Sequence, residues 1–255
     1  MHPYRTRFKK EIVAEFYPPL TRKKPKEDKV IIFCPGLHGG PSSSSLLEPY
    51  AKKGFWAIKF RYRGTWESGG RFLRSPHEKD VLDIIEQLPH GFVTIPDHKR
   101  FVVRPKAVYV FGVSFGGAAA ILASRDERVT KAVALSAVVD WRDQAQRAHS
   151  LEWSRRFTRE AFGEAYRFSD KDWRKLNNGT FYNPIAIAHM NEIDGKKLLI
   201  IHAKDDDVVR FGPVAKFAKM TGATLISLKR GGHGSSSWFT KPRIYKKIAK
   251  FLKSS

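Results

Sequence analysis

The sequence predicts an α/β domain in which helices cover both faces of a mostly parallel central sheet. Short apolar runs with the length of buried strands alternate with amphipathic, helix-like segments along most of the chain. Strands that alternate with helices imply right-handed crossovers, and therefore a mostly parallel sheet. The 255 residues, of which 42% are hydrophobic, are enough to bury the core of one large domain. We therefore expect residues 1–255 to form a single domain.

Six apolar runs are predicted to be the buried strands of this sheet. They are four to eight apolar residues long and lie between turn signals, which is typical of parallel strands covered on both faces. The runs lie at 29–36, 54–64, 107–114, 131–139, 196–203 and 223–230. The earlier segment 8–19 is predicted to be an edge strand that leads into the sheet.

Helical patterns lie between these runs. An i, i+3, i+4, i+7 spacing of apolar residues predicts an amphipathic helix at Val81, Ile84, Ile85 and Leu88. Small residues at 116–124 would let a second helix pack closely on the sheet. The segment 243–253 repeats apolar residues at helical spacing and carries a basic outer face.

Residues 141–194 interrupt this alternation. More than fifty residues are too many for a simple crossover, and the segment contains no convincing buried strand. Its charge pattern is helical, and it is rich in aromatic residues, namely Trp141, Trp153, Phe157, Phe162, Tyr166, Phe168, Trp173, Phe181 and Tyr182. We expect a small helical insertion here.

The net charge of +22 has two interpretations. It could serve an anionic partner such as nucleic acid or a membrane surface, or it could be a solvated surface in a host with basic proteins. The basic residues are scattered, and no nucleic-acid motif or basic stripe with interleaved aromatics is present. The second interpretation is favoured, so no specific nucleic-acid partner is expected.

Other classes of protein are disfavoured by the composition. No stretch approaches 18 apolar residues, so no membrane-spanning helix is expected. The first residues lack the apolar core of a secretory signal, so a cytoplasmic location is expected. The single Cys34 rules out an internal disulfide and a multi-cysteine metal site, and the histidines show no metal-binding spacing.

The sequence GVSFGG at 112–117 follows a predicted strand and precedes a predicted helix. Its Gly112-x-Ser114-x-Gly116 spacing suits a tight strand-to-helix turn that holds the serine hydroxyl above the edge of the sheet. The start of the following helix also favours negative charge that develops nearby. This context disfavours a glycine-rich turn with an inert serine, and Ser114 is predicted to be a nucleophile.

A nucleophilic serine needs a base, and His233 is the candidate. It is flanked by glycines directly after the last predicted strand, so its ring can point into a cleft. The alternative is a surface histidine, one of nine in the chain. The chain order of Ser114, an acid after the next-to-last strand and then His233 favours a Ser-Asp-His triad. In such a triad the histidine takes the serine proton, and the acid orients the histidine.

Two further loops complete a set of four motifs. CPGLHGG at 34–40 resembles the His-Gly-x loop of the α/β-hydrolase superfamily, with Pro35 in place of the histidine. FRYRGTWESGG at 60–70 resembles its Arg-Gly-x-Gly-x-Ser loop, with Trp66 where glycine is commoner. GVSFGG resembles its nucleophile elbow, and HAKDDDVV at 202–209 with GGHG resembles its acid and base loops. The resemblance covers nearly the whole chain and is greatest to small esterases, including cinnamoyl and feruloyl esterases, and to peptidase-related hydrolases.

The resemblance implies which of three adjacent aspartates is the acid. The family pattern reads roughly His-Gly-x-x-Asp-x-x-Val, in which His202 and Val209 occupy the ends and Asp206 falls on the acid. The glycine position holds an alanine. Asp205 and Asp207 are expected to cap the next helix or to meet basic side chains of the surface.

The resemblance also implies the rest of the site. The oxyanion hole would use the backbone N–H groups of Leu37 and Phe115. The segment 141–194 lies where the family usually carries a lid over the nucleophile. Its Trp141 and Trp153 are the candidates for substrate contact, whereas most of its aromatic residues are expected to pack the lid onto the core.

The function that these residues predict is hydrolysis of a small-molecule carboxylic ester through an acyl-enzyme intermediate. Neither a metal ion nor an organic cofactor is expected. Two alternatives remain open. The first is an amidase or short-peptide hydrolase with the same triad, and the second is a non-catalytic binding protein on the same fold.

Overall fold

A computed structural model of the chain describes residues 2–23, 25–40, 44–145, 150–177, 183–185 and 187–254. Within these residues one sheet contains ten strands: β1 (Tyr4–Phe8), β2 (Ile12–Tyr17), β3 (Asp28–Cys34), β4 (Trp56–Phe60), β5 (Phe92–Ile95), β6 (Arg100–Phe101), β7 (Pro105–Val113), β8 (Lys131–Leu135), β9 (Leu198–Ala203) and β10 (Thr224–Leu228). Their order across the sheet is β10-β9-β8-β7-β3-β4-β2-β1-β5-β6.

Six adjacent strands of this sheet, β10-β9-β8-β7-β3-β4, are parallel to one another. They correspond to the six predicted apolar runs. Strands β7, β8 and β9 are almost entirely buried, because helices cover both of their faces. The predicted fold class, an α/β domain with a mostly parallel sheet, is confirmed.

The segment 8–19 contains a strand, as predicted, but the prediction that this strand lies at an edge of the sheet is wrong. Strand β2 pairs with β4 on one side and with β1 on the other, and all six of its residues are buried. The chain before it forms a strand because the turn at Lys9 and Lys10 folds β1 back onto β2. Strands β5 and β6 then extend the sheet beyond β1.

Nine helices are present in the described ranges: α1 (Ser44–Ala51), α2 (Glu78–Gln87), α3 (Phe115–Ala123), α4 (Trp141–Ala145), α5 (Leu151–Phe162), α6 (Asp170–Arg174), α7 (Ile187–Met190), α8 (Phe211–Thr221) and α9 (Pro242–Lys253). Helices α2, α3 and α8 bury their apolar side chains in the core on one face of the sheet. Helices α1 and α9 do so on the opposite face. None of the helices in the part of the chain that the structure describes is long and apolar enough to cross a membrane.

Helices α4 to α7 occupy the segment between β8 and β9, where the sequence predicts an insertion. Among its aromatic residues, Trp141 and Trp173 are buried, whereas Trp153 and Phe157 are exposed. Phe181 and Tyr182 lie outside the described residues. We call residues 141–194 the helical segment.

Candidate active site

The serine of the GVSFGG motif lies at the junction of β7 and α3. Its φ of 55° and ψ of −117° form a sharp turn that residues other than glycine rarely adopt. The turn depends on the two glycines, because a Cβ at Gly112 would overlap the carbonyl of Gly116 and a Cβ at Gly116 would overlap that of Cys34. The backbone at Ser114 is therefore fixed by the close approach of β7, α3 and the end of β3.

Two backbone N–H groups predicted to bind an oxyanion lie near this turn. Phe115 is the first residue of α3, and N–H groups at a helix N-terminus have no acceptor within the helix. Leu37 lies on the loop that follows β3, residues 35–40, which we call the 35–40 loop. Leu37, Ser114 and Phe115 all line one cavity.

The predicted acid and base are brought together by the loops that follow β9 and β10. Nδ1 of His233 lies 3.0 Å from Oδ2 and 3.1 Å from Oδ1 of Asp206. Because an ionised carboxylate only accepts hydrogen bonds, Nδ1 carries the proton and Nε2 of His233 is left as an acceptor. His233 also lines the cavity of Ser114. No hydrogen bond joins Ser114 to His233 among the described residues, and such bonds are often long in unliganded sites.

Asp206 is buried and held from several sides. Its Oδ1 accepts the backbone N–H groups of Val208 at 3.0 Å and Val209 at 2.8 Å. Burial by itself raises the pKa of this carboxyl, but the hydrogen bonds from His233 and Val209 outweigh burial and hold the pKa below its ordinary value. Asp206 is therefore ionised at neutral pH and can orient a histidine.

Of the two roles expected for Asp205, capping of the next helix is not seen, whereas the charge of Arg230 does help to lower its pKa, as expected for a carboxylate that meets basic side chains. Helix α8 has Arg210 at its N-cap, with no capping side chain. Asp205 instead accepts the backbone N–H groups of Gly231 at 3.2 Å and Gly232 at 2.9 Å. These hydrogen bonds lower the pKa of Asp205 and tie the loop of Asp206 to the loop of His233.

Two histidines near the site were not assigned a function from the sequence. His202, at the end of β9, is fully buried, and its Nε2–H donates to the Val209 carbonyl at 2.9 Å. The same Nε2 lies 3.3 Å from Oδ2 of Asp206. The signal was a polar residue at the end of an apolar strand, four positions before the acid. His38, directly after Leu37, contacts the helical segment; its only signal was its place in the loop.

The cavity beside Ser114 has a volume of about 220 Å³. The described residues that line it are mainly apolar, and the titratable ones among them are His38 and His233. Both predicted substrate-contact residues belong to the lining, which consists of Leu37, His38, Ser114, Phe115, Val138, Trp141, Gln144, Leu151, Trp153, Ser154, Val208, Val209 and His233. The described walls of the cavity therefore suit an uncharged, apolar group.

The sequence model of the prolyl oligopeptidase family matches residues 41–255. The chain belongs to the prolyl oligopeptidase family. This prolyl oligopeptidase family member is thus an α/β-hydrolase in fold, as the sequence motifs predicted. No curated protein matches its sequence.

Solved structures resemble this prolyl oligopeptidase family member in fold. Est1E from Butyrivibrio proteoclasticus, solved with ferulic acid bound, has a TM-score of 0.66 at 14% identity over 98% of this chain and 99% of its own. The Pyrococcus furiosus esterase Pf2001 has a TM-score of 0.65 at 16% identity, over 99% of this chain and 92% of its own. The acylaminoacyl peptidase of Pyrococcus horikoshii has a TM-score of 0.62 at 18% identity over 99% of this chain, which spans only 41% of that peptidase.

Among the described residues of this prolyl oligopeptidase family member, no group of three His, Cys, Asp or Glu side chains is arranged to hold a metal ion. A separate cavity of about 280 Å³ is lined by Arg63, Asp80 and their neighbours. The guanidinium of Arg63 is paired with the carboxylates of Glu11, Asp80 and Asp83.

Proposed function

We propose that this protein is a serine hydrolase that cleaves carboxylic esters. The observation that carries the proposal is the apolar cavity that Ser114 shares with His233, which is itself hydrogen-bonded to a buried, ionised Asp206. An apolar cavity with a few convergent polar groups suits the acyl or aryl part of an uncharged ester.

The proposed reaction proceeds through an acyl-enzyme. Oγ of Ser114 attacks the acyl carbon while Nε2 of His233 takes its proton, and Asp206 stabilises the imidazolium. His233 then gives that proton to the leaving alkoxide, and the alcohol departs. A water molecule next attacks the acyl carbon, His233 takes the proton of the water, and Ser114 recovers it as the acid leaves.

The negative oxygen of each tetrahedral intermediate is proposed to bind the N–H groups of Leu37 and Phe115. A donor of this kind stabilises the transition state by about 3–4 kcal/mol. The helical segment is proposed to be a lid over this site. Support comes from Trp141, Leu151 and Trp153, which line the cavity from α4 and α5.

A fluorophosphonate probe tests the nucleophile. We expect the wild-type protein to be labelled and Ser114→Ala to be unlabelled. The proposal fails if the wild type is not labelled, or if labelling persists in Ser114→Ala. A panel of nitrophenyl esters with graded acyl groups, including aromatic ones, then measures which acyl group the cavity accepts.

A second candidate function is cleavage of amides or short peptides by the same triad. It is favoured by membership of the prolyl oligopeptidase family and by similarity in fold to an acylaminoacyl peptidase. Turnover of nitrophenyl esters and of aminoacyl anilides by the same preparation separates the two. Because no Asp or Glu lines the described part of the cavity to bind an α-ammonium group, we expect the esters to be preferred.

A further inference from the structure

We propose that His38 and Thr158 form a latch between the lid and the oxyanion hole, so that the Leu37 N–H is held in place only while helix α5 is seated. This inference rests on the proposed function and adds how the site is regulated. Thr158 lies on α5, and His38 follows Leu37 directly in the 35–40 loop. Through this latch, the position of the lid determines whether the Leu37 N–H can bind an oxyanion.

The latch is a hydrogen bond whose direction follows from its neighbours. Nε2 of His38 lies 2.7 Å from Oγ1 of Thr158. The Thr158 hydroxyl donates its own proton to the carbonyl of Ser154, 2.6 Å away and one turn earlier in α5. The Thr158 oxygen is thus left as an acceptor, and His38 donates Nε2–H to it. Thr158 is fully buried, so water does not replace this bond while the lid is seated.

Aromatic side chains of the helical segment enclose the His38 ring. The ring stacks on Phe162 with centroids 4.8 Å apart and an angle of 3° between the planes. Phe157 and Tyr166 meet it edge-on, at 5.1 Å and 5.9 Å. Burial lowers the pKa of His38 to about 4. The ring is therefore neutral at every pH at which a histidine of ordinary pKa is unprotonated and can act as a base. The ring is therefore a fixed, uncharged anchor.

The rest of the 35–40 loop explains why this anchor matters. Side chains of the loop after β4 hold the two ends of the 35–40 loop. The Tyr62 hydroxyl donates to the Pro35 carbonyl at 3.3 Å, and Nε1 of Trp66 donates to the Gly39 carbonyl at 2.9 Å. Between these ends His38 has a φ of 63°. This conformation costs free energy and persists only where the surrounding structure holds it. The contacts of His38 with α5 supply that support, next to the Leu37 N–H.

Movement of the lid would therefore change the oxyanion hole. When α5 lifts to admit a substrate, His38 loses its acceptor and its aromatic enclosure, and the loop relaxes at Leu37. The hole is complete again once α5 closes over a bound acyl group that is small enough to lie beneath it. Esters with bulky acyl groups would bind but react slowly.

Thr158→Val tests the latch, because valine keeps the shape of threonine and removes the acceptor. We expect kcat for a nitrophenyl ester to fall about tenfold, less than the ~10²- to 10³-fold loss for removal of an oxyanion donor, with KM changed less than threefold. Affinity for a trifluoromethyl ketone, which forms a tetrahedral adduct with a serine nucleophile, should fall in parallel. Thr158→Ser restores the hydroxyl and should restore both values.

Ser150→Ala is the matched control for loss of helix stability. Ser150 caps the N-terminus of α5 by accepting the Trp153 N–H at 3.2 Å, and it has no contact with His38 among the described residues. We expect this variant to lower the melting temperature while kcat changes less than in Thr158→Val. Wild-type kcat and ketone affinity in Thr158→Val, or an equal loss of kcat in Ser150→Ala, would overturn the latch.

The NMR signal of the His38 Nε2 proton separates the latch from the proposed function. The bond to Thr158 should protect this proton from exchange in the wild type and in Thr158→Ser, but not in Thr158→Val. A proton that exchanges equally fast in all three proteins overturns the latch whatever the activity. If that proton is protected but Ser114 neither reacts with fluorophosphonate nor turns over esters, the proposed function fails and the contact itself stands.

Discussion

Asp206 differs from its two acidic neighbours in what its carboxylate binds. It is buried and accepts hydrogen bonds from His233 and from two backbone N–H groups, whereas Asp205 lies at the surface and binds the backbone of Gly231 and Gly232. The adjacent carboxylates of Asp205 and Asp206 thus have separate surroundings. Asp206 can orient the proposed base, and Asp205 fixes the loop that carries it.

Exchange of each aspartate for asparagine tests this division. In Asp206→Asn the amide can donate to Nδ1 of His233 and favour the wrong tautomer, so we expect kcat to fall about 10³- to 10⁴-fold. Asp205→Asn keeps one acceptor oxygen for the glycine N–H groups, and its kcat should fall less than about tenfold. Ester turnover measures both. A larger loss in Asp205→Asn or Asp207→Asn than in Asp206→Asn would contradict the assignment.

The sequence could single out residues that belong to local motifs, such as Ser114 in its strand-to-helix turn. It could not predict contacts made across the fold. His38 and Thr158 are 120 residues apart, and although His38 lies in the CPGLHGG motif, nothing in the sequence pairs it with Thr158. The bond of Asp205 to Gly231 and Gly232 likewise depends on how closely the loops after β9 and β10 approach each other. Such contacts need coordinates.

Among the elements, α2 buries carboxylates beside its apolar face. Glu78, Asp80 and Asp83 lie in its first two turns and are buried, facing Arg125 and Arg63. Burial raises the pKa of Glu78 to about 7 and that of Asp80 to about 6, even though both lie near arginines. The helical periodicity predicted the apolar face of this helix, but periodicity cannot show that neighbouring acids are buried too.

The raised pKa of Glu78 predicts a pH-dependent stability. The folded protein holds the Glu78 proton more tightly than the unfolded chain, whose pKa is near 4.5, so this residue's contribution falls as the pH rises from about 4.5 through 7. Glu78→Gln removes this dependence. We expect the free energy of unfolding of Glu78→Gln, relative to that of the wild type, to be about 2–3 kcal/mol higher at pH 8 than at pH 5.

Chemical denaturation at several pH values measures this difference. Glu127→Gln is the control, because Glu127 is an exposed glutamate on the loop after α3. Its difference from the wild type should stay nearly constant over the same pH range. A constant difference for Glu78→Gln as well would show that Arg125 fully compensates for the burial of Glu78.

At the scale of the whole molecule, the parallel part of the sheet was predictable, whereas only β2 of the antiparallel part was. The parallel strands β3, β7, β8 and β9 contain continuous apolar runs, because the centre of the sheet is covered on both faces. Strands β1 and β5 are short and partly exposed, with buried and exposed residues in alternation. Four or five alternating residues give little sequence signal, so this extension of the sheet was missed.

The strained turn at Ser114 predicts that a glycine at this position is more stable than an alanine. A φ of 55° costs a serine about 1–3 kcal/mol, whereas glycine adopts it freely at an entropic cost of about 0.5–1 kcal/mol. Ser114→Gly should therefore melt about 2–6 °C above Ser114→Ala, which keeps the Cβ and the strain. Thermal unfolding of the two inactive variants tests this, and a lower melting temperature for Ser114→Gly would contradict it.

Strand β3 lies at the centre of the sheet but outside the range that the family model matches. The family model begins at residue 41, but β3 ends at Cys34 and lies between β4 and β7. A fragment that starts at residue 41 would leave the facing edges of β4 and β7 without partners and would lack Leu37 of the proposed oxyanion hole. The range that the family model matches and the range that the core needs therefore differ in this molecule, and trimming the chain to residues 41–255 would split its core.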